Sequence, residues 1–171
     1  MPYLARCAER TDDCPMEITN NAASLARLLD EAAIRDTIAR FADTVTRGDS
    51  HGFRTLWADD SEWVIGSTEG QPFEHKSKGI DEIVSHFRHL RDDKEYFIQF
   101  AAPGSIEING DDATVRCQCY EAGRGPGQYY RNTGIDTVRL HRSDHGWVFT
   151  SRSYQYLWLD YSPFSGDVFR V

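Results

Sequence analysis

The chain has 171 residues, with 19 Lys and Arg against 27 Asp and Glu and a formal net charge of −8. That length fits one domain with a sizeable core. The negative balance, with no basic run, argues against nucleic acid or an anionic membrane surface as a partner. No apolar run approaches the roughly 20 residues of a membrane-spanning helix. The opening MPYLARCAERTDDCP has no apolar centre and carries Asp12-Asp13, so it does not read as a secretory signal and a cytoplasmic protein is expected.

Residues 1–20 are polar and mixed and read as an arm or a disordered leader. A domain is expected over 21–160. Asn20, Asn21 or Ser24 can cap a long helix whose apolar stripe is Ile34, Ile38, Phe41 and Val45, spaced four, three and four apart. Gly48-Asp49 ends it, and a short helix through Phe53, Leu56 and Trp57 follows. Asp59-Asp60 leads into a strand with Trp63 and Ile65. Phe73 to Ser77 reads as a return strand. A third helix begins after Gly79, with Ile80, Ile83, Val84, Phe87 and Leu90 on one face and His89 toward solvent.

From Glu95 onward the pattern is β. A long strand to Ile108 is expected to bend at Ala102-Pro103-Gly104, because Pro cannot donate to a ladder. Asn109-Gly110 is a hairpin signal and Ala113 to Glu121 returns. After the turn GRGPG at 123–127, Gln128 to His141 and Trp147 to Leu159 form the last pair. Helices first and antiparallel strands after give an α+β fold, with the helices on one side of a curved sheet. The aromatic tail, residues 161–171, is expected to cover a pocket mouth or a subunit interface. Cys117 and Cys119 fall side by side on one strand face, and Cys7 and Cys14 lie in the leader; all four are expected as thiols. No C-x-x-C or paired-His spacing accompanies them, and neither a metal nor another cofactor is expected.

The pieces AAIRDTIARFAD, RGD, LWADDSEW, INGDDATV and GWVFTSR occur in this order over roughly Leu25 to Asp160. Together they resemble the SnoaL-like branch of the nuclear transport factor 2-like superfamily, whose members include scytalone dehydratase, hexachlorocyclohexane dehydrochlorinases, bile acid dehydratases and polyketide cyclases. The resemblance implies a cone of N-terminal helices on a strongly curved, mainly antiparallel sheet, and a homodimer or homotrimer. It also implies an Asp/His acid–base dyad, but aligning on RGD puts Thr46 at the Asp position, and aligning on the IEINGDDATV strand puts Gln99 at the His position. Neither titrates near neutrality, so that dyad mechanism does not carry over. Arg152 matches the family Arg after W-x-F. Asp136 falls where scytalone dehydratase has a substrate-contacting Asn.

The residues themselves single out Asp136, which shares strand parity with Tyr130, Val138 and Leu140. On an inward face, burial would suit its carboxyl to proton transfer. A turn centred near Asp144 would set it opposite Arg152. The same pairing reads equally as a cross-strand salt bridge with no chemistry. Asp136 and Arg152 are thus the candidate catalytic residues; Thr46, Gln99, Phe41, Trp63, Tyr120, Tyr130, Tyr154 and His75 are the candidate substrate-binding ones. The expected function is a cofactor-independent lyase, isomerase or cyclase acting on a small apolar oxygenated metabolite of secondary or degradative metabolism. The alternative is a non-catalytic ligand-binding or partner-docking protein of the same fold.

Overall fold

The computed structural model describes residues 15–66, 69–71 and 74–169, with side chains from residue 21 onward. The chain divides into two units, residues 1–32 and 33–171. The first contains the opening part of helix α1 (Pro15–Arg47). There Arg27 and Glu31 pair across one turn at 3.0 Å, and Leu25, Leu28 and Leu29 are exposed. The helix is under way at Pro15, ahead of the caps expected at Asn20, Asn21 or Ser24. Nothing between Met16 and Arg47 stops it, since that stretch holds neither Pro nor Gly, and Pro is tolerated in a first turn. The leader reading of residues 1–14, with Cys7 and Cys14, lies outside the described residues.

In the second unit Ile34, Ile38, Phe41 and Val45 are all buried, as their spacing requires. The chain leaves α1 through Gly48 at φ +70°, and Asp49 caps α2 (Ser50–Arg54) by accepting the Gly52 N–H at 2.8 Å. There follow β1 (Trp57–Ile65), β2 (His75–Lys78), α3 (Ile80–Arg91), β3 (Tyr96–Asn109), β4 (Asp112–Gly125), β5 (Gln128–Ser143) and β6 (Gly146–Asp160). The six strands form one sheet in the order β2-β1-β6-β5-β4-β3, antiparallel except where β1 runs beside β6. β1 starts at Trp57, earlier than expected, with Asp59-Asp60 inside an irregularity of its register. The return strand starts at His75; Phe73 lies outside the described residues. The expected bend of β3 is present as a register shift between Pro103 and Ile106.

Phe41 organises the helix–sheet core. Its ring meets Phe53, Trp57 and Phe149 at centroid distances of 5.4, 6.1 and 5.6 Å, while Phe53 stacks on Phe87 at 4.2 Å. Thr37 fixes the helix to β6 by donating to the Trp147 carbonyl at 3.1 Å.

The β5–β6 register corrects the sequence reading. Asp136 stands opposite Tyr154, and Arg152 opposite Val138. The turn lies between Ser143 and Gly146, and β6 carries one extra residue between Phe149 and Ser151. This bulge also resets the alternation of faces. Trp147 and Phe149 are buried before it, Arg152 and Tyr154 after it. An unbroken strand would have turned Arg152 outward with the residues of opposite parity. A second irregularity in the ladder, between Thr133 and Gly134, lets both Tyr156 and Leu159 face the interior.

Two glycines make room for rings. A Cβ on Gly123 would collide with the ring of Tyr130, and one on Gly134 with the ring and hydroxyl of Tyr154 and the Gln155 carbonyl. These absences of a side chain let the two tyrosines lie over the sheet. We expect Gly134→Ala to lower stability in urea unfolding by about 1–3 kcal/mol, as overpacking of a filled site does; an unchanged midpoint would mean that Tyr154 moves aside freely.

At the β1–β2 edge, Ser77 is buried between two imidazoles, 3.0 Å from His75 Nε2 and 3.4 Å from His86 Nδ1. Burial first, then the proximity of His75 and His89, lowers the His86 pKa from 6.5 to about 4, with Glu82 opposing. The folded pKa lies below the unfolded one, so this contribution to stability is present above pH 6.5 and is lost as pH falls toward 4. The unfolding free energy of the wild type should drop across that window by roughly 3 kcal/mol more than that of His86→Gln. Parallel pH curves for the two proteins would show that His86 is not held neutral.

Candidate active site in the cone

Between α1, α3 and the inner face of the sheet lies a cavity of about 260 Å³, near the small end of ligand pockets. α1 contributes Phe41 and Val45, α3 Phe87 and Leu90, and β1 Trp63 and Ile65. From β3 to β6 come Phe97, Tyr130, Tyr154, Tyr156 and Leu159. The wall is therefore largely aromatic. Arg91 and Lys94 stand on the same lining, Lys94 donating to the Gln128 side chain at 2.8 Å. Arg91 donates to the carbonyls of Val45, Thr46 and Lys94 at 3.1, 2.9 and 3.1 Å, closing the C-terminal end of α1.

The polar groups are set by strand register. Gln99, Glu121 and Asn132 are cross-strand neighbours on β3, β4 and β5. They form a connected row: Gln99 Nε2 donates to Glu121 Oε1 at 2.5 Å, and Asn132 Nδ2 to Glu121 Oε2 at 3.1 Å. The Tyr154 hydroxyl donates to Asn132 Oδ1 at 2.5 Å. Four residues further along β5, on the same face, lies Asp136, 1% exposed, with Arg152 at 2%. Arg152 is the diagonal partner, and its reach closes the offset that the bulge creates. Nε donates to Asp136 Oδ2 at 2.8 Å and Nη2 bonds the same oxygen. The guanidinium also lies 3.3 Å over the centre of the Phe41 ring.

One carboxyl stands apart. Glu121 has its pKa raised by burial, against the opposing pull of the Asn132 and Gln99 amides and of Arg152. Burial likewise raises the hydroxyl pKa values of Tyr130, Tyr154 and Tyr156, so these remain neutral hydrogen-bonding groups. Cys117 and Cys119 are buried free thiols, with pKa values raised by the same cause.

Of the residues singled out in the sequence, Phe41, Trp63, Gln99, Tyr130, Asp136, Arg152 and Tyr154 line this one cavity. Thr46 is one step behind it, its hydroxyl accepting the Gln99 backbone N–H at 3.2 Å. Two do not belong. Tyr120 has the parity opposite to Cys119 and Glu121, so it faces outward, 36% exposed and stacked on Phe100. His75 is held at the β1–β2 edge by Ser77 and is not on the lining. Glu121, Asn132 and Tyr156 were missed. The hairpin after Ile108 carried the signal for Glu121, since it sets that residue opposite Gln99. Among the described residues no three His, Cys, Asp or Glu side chains gather as metal ligands.

Comparison with known proteins agrees with this architecture. The sequence profile of the SnoaL-like domain matches residues 26–153. No curated protein sequence matches the chain. Among solved structures, an NTF2-like protein with a cystatin-like fold from Novosphingobium aromaticivorans is 27% identical, over 86% of this chain and 92% of that one, with a TM-score of 0.67. Hexachlorocyclohexane dehydrochlorinase of type 3 from Novosphingobium barchaimii is 21% identical over 85% and 97%, with a TM-score of 0.69. A scytalone dehydratase-like protein of N. aromaticivorans is 13% identical over 83% and 93%, with a TM-score of 0.71. The fold is the NTF2-like α+β cone, and the chain, matched over most of its length, belongs to the SnoaL-like domain family.

Proposed function

We propose that the protein is a lyase or isomerase that moves a proton on a small, mostly apolar, oxygenated molecule held in the cone. The observation that carries this reading is Glu121, a carboxyl with a raised pKa on the wall of an aromatic cavity, beside a buried ion pair. Similarity to proteins named as a dehydrochlorinase and as scytalone dehydratase-like supports the class of chemistry.

Two carboxyl groups stand on the one lining, Glu121 buried among amides and Asp136 paired with Arg152, and they divide the roles of acid and base in this reading. Glu121 is the proton donor: neutral in its apolar setting, it delivers a proton to the oxygen of a departing or rearranging group. Asp136 shares its charge with Arg152 through one oxygen and keeps Oδ1 to receive a proton from the substrate. Arg152, oriented by that pair and by Phe41, stabilises negative charge that develops between them. Gln99 positions Glu121 and Thr46 holds the β3 backbone at Gln99; neither, at the positions that the resemblance assigns to the family dyad, titrates itself.

Glu121→Gln keeps the side-chain shape and the bond from Asn132, turns the Gln99 amide over so that its oxygen accepts from the new NH2, and removes the proton. It should bind ligand within a factor of a few of wild type while turnover falls by about 10²-fold or more. As a protonated acid with a raised pKa, Glu121 should also give a rate that declines as pH rises through that pKa, a limb absent from the variant. Full activity of Glu121→Gln would remove Glu121 from the chemistry. Ligand binding with no turnover in wild type would favour the non-catalytic reading of the cone.

A further inference from the structure

Three residues that line the cavity each hold one deeply buried polar atom with no hydrogen-bond partner among the described residues: Asp136 Oδ1, Arg152 Nη1 and Gln99 Oε1. Leaving such atoms without a partner is unfavourable, and their placement defines what a ligand must bring. Two are acceptors and one is a donor. They belong to residues whose remaining polar atoms are engaged, since Arg152 Nε and Nη2 both bond Asp136 Oδ2 and Gln99 Nε2 bonds Glu121.

From this we propose that the cavity takes an uncharged cyclic molecule by a hydroxyl group at its buried end, donating to Asp136 Oδ1 and accepting from Arg152 Nη1. The proposal rests on the reading of the cavity as a ligand site and adds the group that the site selects. A hydroxyl is the smallest group that donates and accepts at once. A ketone satisfies Arg152 and leaves Asp136 Oδ1 bare. A carboxylate offers acceptors only, and would set its charge against Asp136 and Gln99 where the guanidinium is already neutralised. Arg91 and Lys94 keep their charges but are tied elsewhere on the lining, Arg91 to the carbonyls at the end of α1 and Lys94 to Gln128, eight residues from Asp136 along β5. An ammonium would face Arg152. The rest of the lining, with Phe41, Trp63, Phe97, Tyr130 and Tyr156, presents ring faces and edges that suit a planar or cyclic skeleton.

The test is a matched series of one shape, 2-naphthol, 2-methylnaphthalene and 2-naphthoate, titrated into the full chain by calorimetry and ligand-observed NMR at neutral pH. Naphthol should bind about tenfold or more tighter than either of the others, and a cavity-filling Phe97→Trp variant should lose it. Asp136→Asn leaves the Arg152 charge uncompensated and should reverse the order of naphthol and naphthoate; should that variant fail to fold, the wild-type ranking alone decides. Naphthoate binding as tightly as naphthol, or an unchanged ranking in a folded Asp136→Asn, would overturn the hydroxyl assignment and leave the cavity as a ligand site. Binding of none of the three would count against the ligand-site reading itself.

Discussion

Asp136 and Arg152 are taken out of water together, and much of the interior is arranged to make that possible. Each alone would be strongly destabilising in such a place, because a buried charge without its partner keeps its full desolvation penalty. As a pair they bond through one carboxylate oxygen, and the guanidinium is further covered by Phe41 and Phe149. Replacing the pair with apolar side chains of similar volume would often be neutral or stabilising in such a core. What an apolar pair would lack is the donor and the acceptor that Arg152 Nη1 and Asp136 Oδ1 present on the cavity lining.

The pair is reached through backbone irregularities. One extra residue in β6 turns Arg152 to the inner face, and the next irregularity of the β5–β6 ladder lets Tyr156 and Leu159 line the same space. Gly123 and Gly134 clear the sheet surface under Tyr130 and Tyr154. The long helix then covers the result with its apolar stripe, and Arg91 ties the end of that helix to α3. In this arrangement burial outweighs the nearby guanidinium at Glu121, and its pKa is raised.

The helices, the order of strands and the inward parity of Asp136 could all be read from the sequence, because each rests on local periodicity and on Gly, Pro and Asn-Gly punctuation. The exact pairing could not. A count across a turn centred at Asp144 set Asp136 opposite Arg152; the turn between Ser143 and Gly146 and the bulge near Thr150 each add one position and move the partner to Tyr154. Bulges depend on tertiary strain and leave little local mark in composition. Even so the two residues meet, because arginine is long enough to span a diagonal. Aromatic character alone does not place Tyr120, because alternation along β4 turns it outward and gives the inner position to its neighbour Glu121. His75 stands on β2, the edge strand, held by Ser77 beside His86, and no sequence pattern states that placement.

The account turns on whether the Glu121 carboxyl is neutral under working conditions. Infrared difference spectroscopy of wild type against Glu121→Gln at neutral pH reads this directly. A protonated-carboxyl band is expected in the wild type that vanishes in the variant and is lost as pH rises through the raised pKa of Glu121. A wild-type spectrum showing only ionised carboxylates at neutral pH would contradict it, and would leave Glu121 as a fixed acceptor for Asn132 and Gln99 in a cavity that binds without reacting.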